Sequence, residues 1–122
     1  HRMAAEVDRG EVCFEAVVPI APAETALSLY RKSIPACERL VTQFLAACDA
    51  QALPAGRVVG AGGRYYGRNS VQPLKAVPPN ADPAYLERLA RALYFPPHEP
   101  PYISSGGRKV YLLPEAYRQK ET

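Results

Sequence analysis

The alternation of apolar and polar positions predicts one strand near the amino end of the chain. Within residues 11–20, every second side chain is apolar, namely Val12, Phe14, Ala16, Val18 and Ile20. A period of two is typical of a half-buried strand. Pro19 removes a backbone donor, so we expect this strand to end there or to lie at the edge of a sheet.

A helical period follows and predicts a long first helix. Its apolar positions are spaced by three and four and form one stripe, which we call the α1 stripe: Leu27, Tyr30, Ile34, Cys37, Val41, Phe44 and Cys48. Pro22 suits the first turn of such a helix. Pro35 costs about 3 kcal/mol inside a helix, yet the stripe keeps its phase across it. We therefore expect one kinked helix, and the alternative is a break at Ser33, which could cap a second helix.

The α1 stripe needs an apolar surface to cover it. We expect it to pack on a sheet of the same domain. The alternative is a dimerising coiled coil, but the repeat spans only about three heptads and contains cysteine and tyrosine, which are mediocre seam residues.

Three shorter patterns complete the chain. Residues 57–66 and 70–77 are predicted as two strands that meet near Gly67, Arg68 and Asn69. A second helix is predicted over 80–95, with Asp82 as its cap, Pro83 at its first position and a buried stripe that contains Leu86, Leu89, Ala90 and Leu93. Residues 102–113 are predicted as a final hairpin or a lone last strand, with a turn through Ser105, Gly106 and Gly107.

The order of these elements predicts an α+β fold. Strand, helix, strand, strand, helix and strand match the ferredoxin-like order β-α-β-β-α-β, a two-layer sandwich with two helices on one face of a mainly antiparallel sheet. A winged-helix arrangement is the second candidate, although it requires a tight pair of helices. At 122 residues the chain is about the size of one domain. We assign residues 4–122 to a single domain, and residues 1–3 to a cloning remnant with a start methionine.

Positive charge is concentrated in the middle of the chain. The net charge is +3, and residues 50–81 contain four basic side chains and no acidic one. These basic residues, together with a tyrosine and the basic pair of the last hairpin, are candidates for contact with nucleic-acid phosphates or another anion: Arg57, Arg64, Tyr65, Arg68, Lys75, Arg108 and Lys109. Tyr65 or Tyr66 offers a ring on which a base could stack. Adjacent strand residues face opposite sides, so one of the two tyrosines at most faces a ligand and the other belongs to the core.

Several chemistries lack the residues they need. Gly60, Gly62 and Gly63 do not have the spacing of a dinucleotide-binding turn, and no lysine followed by serine or threonine completes a phosphate loop. The three cysteines are too far apart for a zinc site. His98 and Glu99 are adjacent, but between four prolines they are expected to form a rigid loop and not a catalytic pair. We expect no catalytic residue, no metal and no cofactor.

These patterns favour a small, non-enzymatic binding domain that contacts nucleic-acid phosphates. The alternatives are a protein-interaction or oligomerisation module, which would form a homodimer through its sheet or its long helix, and an effector domain with an apolar, tyrosine-lined pocket for a small molecule. No apolar run reaches the roughly 20 residues that cross a bilayer, so we expect no membrane partner and a cytoplasmic location.

Overall fold

The computed structural model describes residues 1–6, 9–60, 64, 66–67 and 69–118, and it shows a small α+β protein in those residues. Its elements are α1 (Ala26–Asp49), a 3-10 helix (Gln72–Leu74), α2 (Pro83–Leu93), β1 (Tyr102–Ser105), β2 (Arg108–Tyr111) and α3 (Glu115–Arg118). The chain divides into two compact units. Unit 1 comprises His1–Pro19 and Arg31–Tyr65, and unit 2 comprises Ile20–Tyr30 and Tyr66–Thr122.

Helix α1 runs without a break through Pro35, so the prediction of one helix is confirmed. It begins at Ala26 and not at Pro22, because Thr25 supplies the cap. The Thr25 hydroxyl accepts a hydrogen bond from the backbone N–H of Ser28 (3.1 Å), and the Ser28 hydroxyl accepts one from the N–H of Thr25 (2.8 Å). This reciprocal pairing satisfies donors that a helix start leaves open.

The carboxyl end of α1 is closed by a left-handed residue. Gln51 has a φ of 53°, and its N–H donates to the carbonyl of Cys48 over 3.0 Å. The N–H of Ala52 donates to the carbonyl of Ala47 over 2.9 Å. These two bonds form a Schellman motif, which uses the last free carbonyls of the helix.

Among the described residues, the prediction that the α1 stripe is buried against a sheet is not confirmed. Within unit 1, the positions of α1 that are buried or half-buried are Ser33, Ala36, Leu40 and Ala47. At 100° per residue, these positions lie about a quarter turn from the stripe. Ile34, Val41 and Phe44 on the stripe are exposed. The helix therefore buries a smaller, less apolar face than its sequence predicts.

The predicted strand over 11–20 does not form a ladder. Val12 makes an isolated antiparallel bridge with Arg57, through two backbone hydrogen bonds of 2.9 Å, and the segment has no further strand pairing among the described residues. A strand is stabilised by its neighbours. Among the described residues, the alternating pattern therefore yields one bridge and no strand.

Unit 2 contains most of the buried apolar residues. Helix α2 starts as predicted, with the Asp82 carboxylate accepting from the N–H of Tyr85 (2.9 Å) and with Pro83 at its first position. Its Leu89 and Ala90 are buried. The other buried residues of this core are Val77, Pro101 and Pro114.

The last two strands form a hairpin, as the sequence predicts. β1 and β2 are antiparallel, with Tyr102 opposite Tyr111 and Ser105 opposite Arg108. Gly106 and Gly107 join them with φ values of 56° and 76°. Two successive positive φ values define a type I′ turn, whose twist matches that of the strands and which favours glycine.

The ferredoxin-like order is not confirmed. The described residues contain a two-stranded sheet, and the segment predicted as a strand over 70–77 instead contains the 3-10 helix. One parallel bridge, between Ala76 and Tyr102, connects this segment to β1. The winged-helix alternative is not confirmed either, since residues 50–82 separate α1 from α2. The assignment of residues 4–122 to one domain, and of 1–3 to a remnant, stays a prediction.

Candidate functional site

The residues predicted to bind an anion are divided between the two units. Arg57 and Arg64 belong to unit 1, and Lys75, Arg108 and Lys109 belong to unit 2. Tyr65 and Arg68 lie outside the described residues. Their expected roles therefore stay predictions, and the geometry below concerns the other five.

Arg57 is paired with an acidic side chain of the extended segment. Its Nη2 donates to Oε2 of Glu15 over 2.8 Å, and both side chains remain largely exposed. The two residues are 42 positions apart, so the run of residues without acids around Arg57 gave no sign of this partner. The charge of Arg57 is balanced locally, and this ion pair accompanies the backbone bridge between Val12 and Arg57.

The hairpin of unit 2 gathers charged and aromatic side chains that we call the hairpin cluster: Glu99, Tyr102, Lys109 and Tyr111. The Nζ of Lys109 lies 2.6 Å from Oε1 of Glu99, and the Tyr111 hydroxyl donates to the same oxygen over 3.2 Å. The Lys109 ammonium also lies 4.1 Å from the centre of the Tyr102 ring. A cation over the face of a tyrosine is attracted by the ring quadrupole.

The strand register explains why these side chains meet. Tyr102 and Tyr111 are directly opposite in the hairpin, with their rings edge to face and their centres 6.3 Å apart. Lys109 lies two residues before Tyr111, and side chains two apart in a strand share a face. The proline segment before β1 brings Glu99 to this face.

The ion pair keeps both of its members charged. The hydrogen bond from Lys109 is the main cause that lowers the pKa of Glu99, with further contributions from the Tyr111 hydroxyl and from the charges of Lys109 and Lys75. The hydrogen bond to Glu99 is in turn the main cause that raises the pKa of Lys109. At neutral pH, Lys109 is thus an ammonium, which is not a nucleophile, and Glu99 is a carboxylate, which cannot donate a proton.

Replacing Glu99 with glutamine is expected to change how stability depends on pH. Because the folded-state pKa of Glu99 is lowered, its stabilising contribution is present above the unfolded-state pKa and is lost as pH falls through the folded-state value. The difference in unfolding free energy between the wild type and E99Q should therefore be largest near neutral pH and should shrink below roughly pH 4. Urea denaturation followed by circular dichroism across this range measures it.

The partner residue supplies the control for this experiment. The raised pKa of Lys109 has the opposite sign, so its contribution is present below the unfolded-state pKa and is lost as pH rises through the folded-state value. In the E99Q background, Lys109→Met should have little further effect at neutral pH. Both side chains are more than one third exposed, so the effect is modest and weakens with salt. A difference between wild type and E99Q that does not vary with pH would disprove the coupling.

Next to Glu99, a small aromatic cavity opens around the proline segment. Its volume is about 270 Å³, and it is lined by Tyr94, Phe95, Pro96, Pro97, His98, Pro100 and Leu113. The His98 ring lies 5.9 Å from the centre of the Phe95 ring, tilted by 37°. Glu99 instead pairs with Lys109. His98 is exposed on this segment with its ring beside Phe95, whereas Glu99 pairs with Lys109, so the two adjacent residues have different neighbours.

A second cavity, of about 480 Å³, has polar side chains that are committed to the fold. Oε1 of Glu87 accepts from the backbone N–H of Glu115 (3.1 Å), and Oε2 accepts from Nη2 of Arg118 (2.7 Å). Arg91 donates to the carbonyls of Pro22 and Glu24. These hydrogen bonds connect α3 and the segment before α1 to α2. The polar side chains of the cavity therefore stabilise the packing of these elements.

The described residues contain neither a metal-binding cluster nor a membrane-spanning helix. In the described ranges, no group of three histidine, cysteine, aspartate or glutamate side chains could hold a metal ion. Within the same ranges, no helix has the length and apolar character that crossing a bilayer demands.

The fold is similar to that of a known enzyme. No family model matches the sequence, and no curated protein matches it. A crystal structure of a 4-N formyltransferase from Francisella tularensis superposes with a TM-score of 0.78 at 18% sequence identity, over 91% of this chain and 47% of that chain. The chain thus spans about half the length of that formyltransferase.

This similarity contradicts the expectation of a non-enzymatic binding domain, because the matching chain is an enzyme. The expectation relied on nucleotide and nucleophile motifs that these residues lack. About half of the formyltransferase lies outside the match, so motifs missing from the matched part carry little weight. At 18% identity the comparison establishes one conclusion: the chain has the fold of part of a formyltransferase.

Proposed function

We propose that this chain forms part of an enzyme that transfers a formyl group to an amino group. The observation that supports the proposal is the fold, which is shared with a 4-N formyltransferase over 91% of the chain at a TM-score of 0.78. Fold alone does not imply function. The proposal therefore also has to agree with the chemistry of the described residues.

Formyl transfer requires groups that the hairpin cluster does not supply. The acceptor nitrogen attacks the formyl carbon, the bond from that carbon to the donor breaks, and the nitrogen loses a proton to a base. Oε1 of Glu99 already accepts from Lys109 and Tyr111, and its pKa is lowered, so it is a weak base. We infer that the base lies elsewhere in the enzyme and that the cluster has a binding role.

The binding role that fits the cluster is contact with an anionic group of a substrate. Lys75 and Lys109 both act on the charge of Glu99, and Arg108 is exposed on the neighbouring position of β2. Adjacent strand residues face opposite sides, so Arg108 is not counted with the cluster. Two cations, Lys75 and Lys109, against the carboxylate of Glu99 leave this face positive. The Lys109 side chain is exposed and is already ordered by its ion pair with Glu99. It can therefore bind an anion with little further loss of side-chain entropy. Homodimerisation and a cytoplasmic location stay predictions of the sequence, and a nucleic-acid partner gains no support.

Formyl transfer should be measurable with the protein expressed from its complete natural reading frame. We expect it to move a ¹³C-labelled formyl group from a formyl donor to primary amines. The acceptors to test are compounds whose amino group is on the atom numbered 4, as the name of the 4-N formyltransferase specifies, and N-formyl and O-formyl donors are tested separately. Mass spectrometry of the acceptor detects the added group. Heat-denatured protein gives the background, and transfer no faster than that background for every donor and acceptor would exclude the proposed function.

The same assay examines the anion contact. Lys109→Ala should raise KM for an anionic substrate by roughly three- to tenfold, while kcat changes little, because the contact is made equally in the ground state and the transition state. The matched control is Arg31→Ala, which removes an exposed cation of α1 in unit 1. Equal KM values for the two variants would argue against the anion contact and leave the formyl transfer intact.

A further inference from the structure

Unit 1 has almost no core of its own. Among its described residues, Gly10 and Ala36 are buried. The large apolar side chains that it leaves exposed are Met3, Val17, Ile34, Val41, Phe44, Leu45, Leu53, Val58 and Val59. Soluble proteins seldom leave so many large apolar side chains of one region in water unless they mark an interface.

These exposed residues have the pattern of elements that pack in layers. The α1 stripe repeats with the helical period over Ile34, Val41 and Phe44, and the segment 11–20 alternates like a strand. A helix with one apolar stripe and a strand with one apolar face are stable when another element covers them. Here the stripe is exposed, and Val12 makes the isolated bridge of the segment to Arg57.

Within unit 1, contacts across the apolar surface are sparse. The Phe14 and Phe44 rings meet edge to face with their centres 6.5 Å apart, which joins the extended segment to α1. Val41 remains 57% exposed and Leu45 56% exposed. Among the described residues, Ile34, Val41 and Phe44 of the stripe thus stay exposed.

We propose that a companion domain of the same polypeptide covers the α1 stripe and pairs with the segment 11–20. The matched formyltransferase carries this fold in 47% of its chain, so a comparable length of polypeptide is attached to it there. The complement of an uncovered helix stripe and an unpaired strand is a sheet with an apolar face and an open edge. The identity of the companion rests on the proposed function, whereas the need for one rests on the exposed residues.

A second copy of this chain fits the α1 stripe less well than a companion domain does. A seam formed by the α1 stripe would place Tyr30, Cys37 and Cys48 at core positions, where coiled coils prefer leucine, isoleucine and valine. It would also leave the alternating segment 11–20 without a sheet. A companion domain accounts for both features with one partner.

Two cysteines on the stripe make the proposal testable without an activity assay. Cys37 and Cys48 are free and exposed. We expect both to react rapidly with 5,5′-dithiobis(2-nitrobenzoic acid) in the 122-residue chain, and at least tenfold more slowly in the protein expressed from its complete natural reading frame. Peptide mapping after labelling separates the two sites from Cys13.

The control is a cysteine on the opposite side of α1. Arg39 is exposed and lies about half a turn from the stripe, so an Arg39→Cys thiol should react rapidly in both proteins. Rapid reaction of Cys37 and Cys48 in the complete protein, or a reading frame that encodes nothing beyond these residues, would overturn the proposal. So would protection of both thiols in the 122-residue chain together with a dimeric mass by light scattering. If the thiols were protected but no formyl group were transferred, the proposed function would be disproved and the companion domain would stand.

Discussion

Replacing Leu89 with alanine is expected to lower the free energy of unfolding of unit 2 by about 2–4 kcal/mol. Leu89 is 8% exposed in the middle of α2, and the neighbouring Ala90 is fully buried. The loss combines the transfer free energy of the removed methyl groups with the cavity that remains, because tightly packed neighbours relax only in part. A chain with few buried apolar residues has little to compensate for such a loss. Urea denaturation followed by the helical circular dichroism signal measures it.

The matched control for this prediction is the same substitution at an exposed leucine. Leu74 is 48% exposed in the 3-10 helix of unit 2. Leu74→Ala should change the unfolding free energy by less than about 1 kcal/mol, since about half of its surface is already in water. Similar losses for the two variants would mean that Leu89 is not part of a packed core.

Replacing Thr25 with alanine is expected to cost about 1–2 kcal/mol. Thr25 is 4% exposed, and its hydroxyl is the acceptor that caps α1 through the N–H of Ser28. Alanine leaves this N–H without its partner at a site that water reaches poorly, so the cost is that of an unmade hydrogen bond as well as a lost cap. The thermal unfolding midpoint and the helical signal should fall together.

Thr42 provides the comparison within the same helix. Its hydroxyl donates to the carbonyl of Glu38 one turn earlier, and the side chain is exposed. Such back-bonding adds little to a helix, so Thr42→Ala should be neutral or slightly stabilising. If Thr25→Ala and Thr42→Ala behaved alike, capping at Thr25 would not explain where α1 begins.

The elements that the sequence predicted well are those decided by local interactions. Asp82 and Pro83 start α2 through contacts within one turn, and Leu89 and Ala90 fall on its buried face. Gly106 and Gly107 supply the positive φ values that the hairpin turn requires. In each case the residues that determine the structure are neighbours in the sequence.

The predictions that failed depended on partners far away in the chain. The alternation over 11–20 describes a strand correctly as a pattern, but pairing needs other strands, and Val12 finds one bridge. The prediction that the α1 stripe packs on a sheet of the same domain likewise depends on a partner far away in the chain. Composition also suggested an open run of cations, whereas Arg57 is paired with Glu15 across 42 positions.

The residues proposed for anion binding stay predictions. Lys75, Arg108 and Lys109 were selected for their charge, but Glu99 was set aside as part of a rigid loop. Its pairing with Lys109 depends on how the proline segment approaches the hairpin, which no local pattern encodes. The hairpin itself offered one usable signal, because its register places Lys109 on the same face as Tyr111.

The ion pair between Glu99 and Lys109 also has a consequence for the selectivity of amine acylation. An acylating reagent, or a formyl donor, reacts with the neutral amine and not with the ammonium. Because the pKa of Lys109 is raised by its hydrogen bond to Glu99, a smaller fraction of this side chain is neutral at any given pH. Under the proposed function, Lys109 would therefore react slowly with the formyl donor.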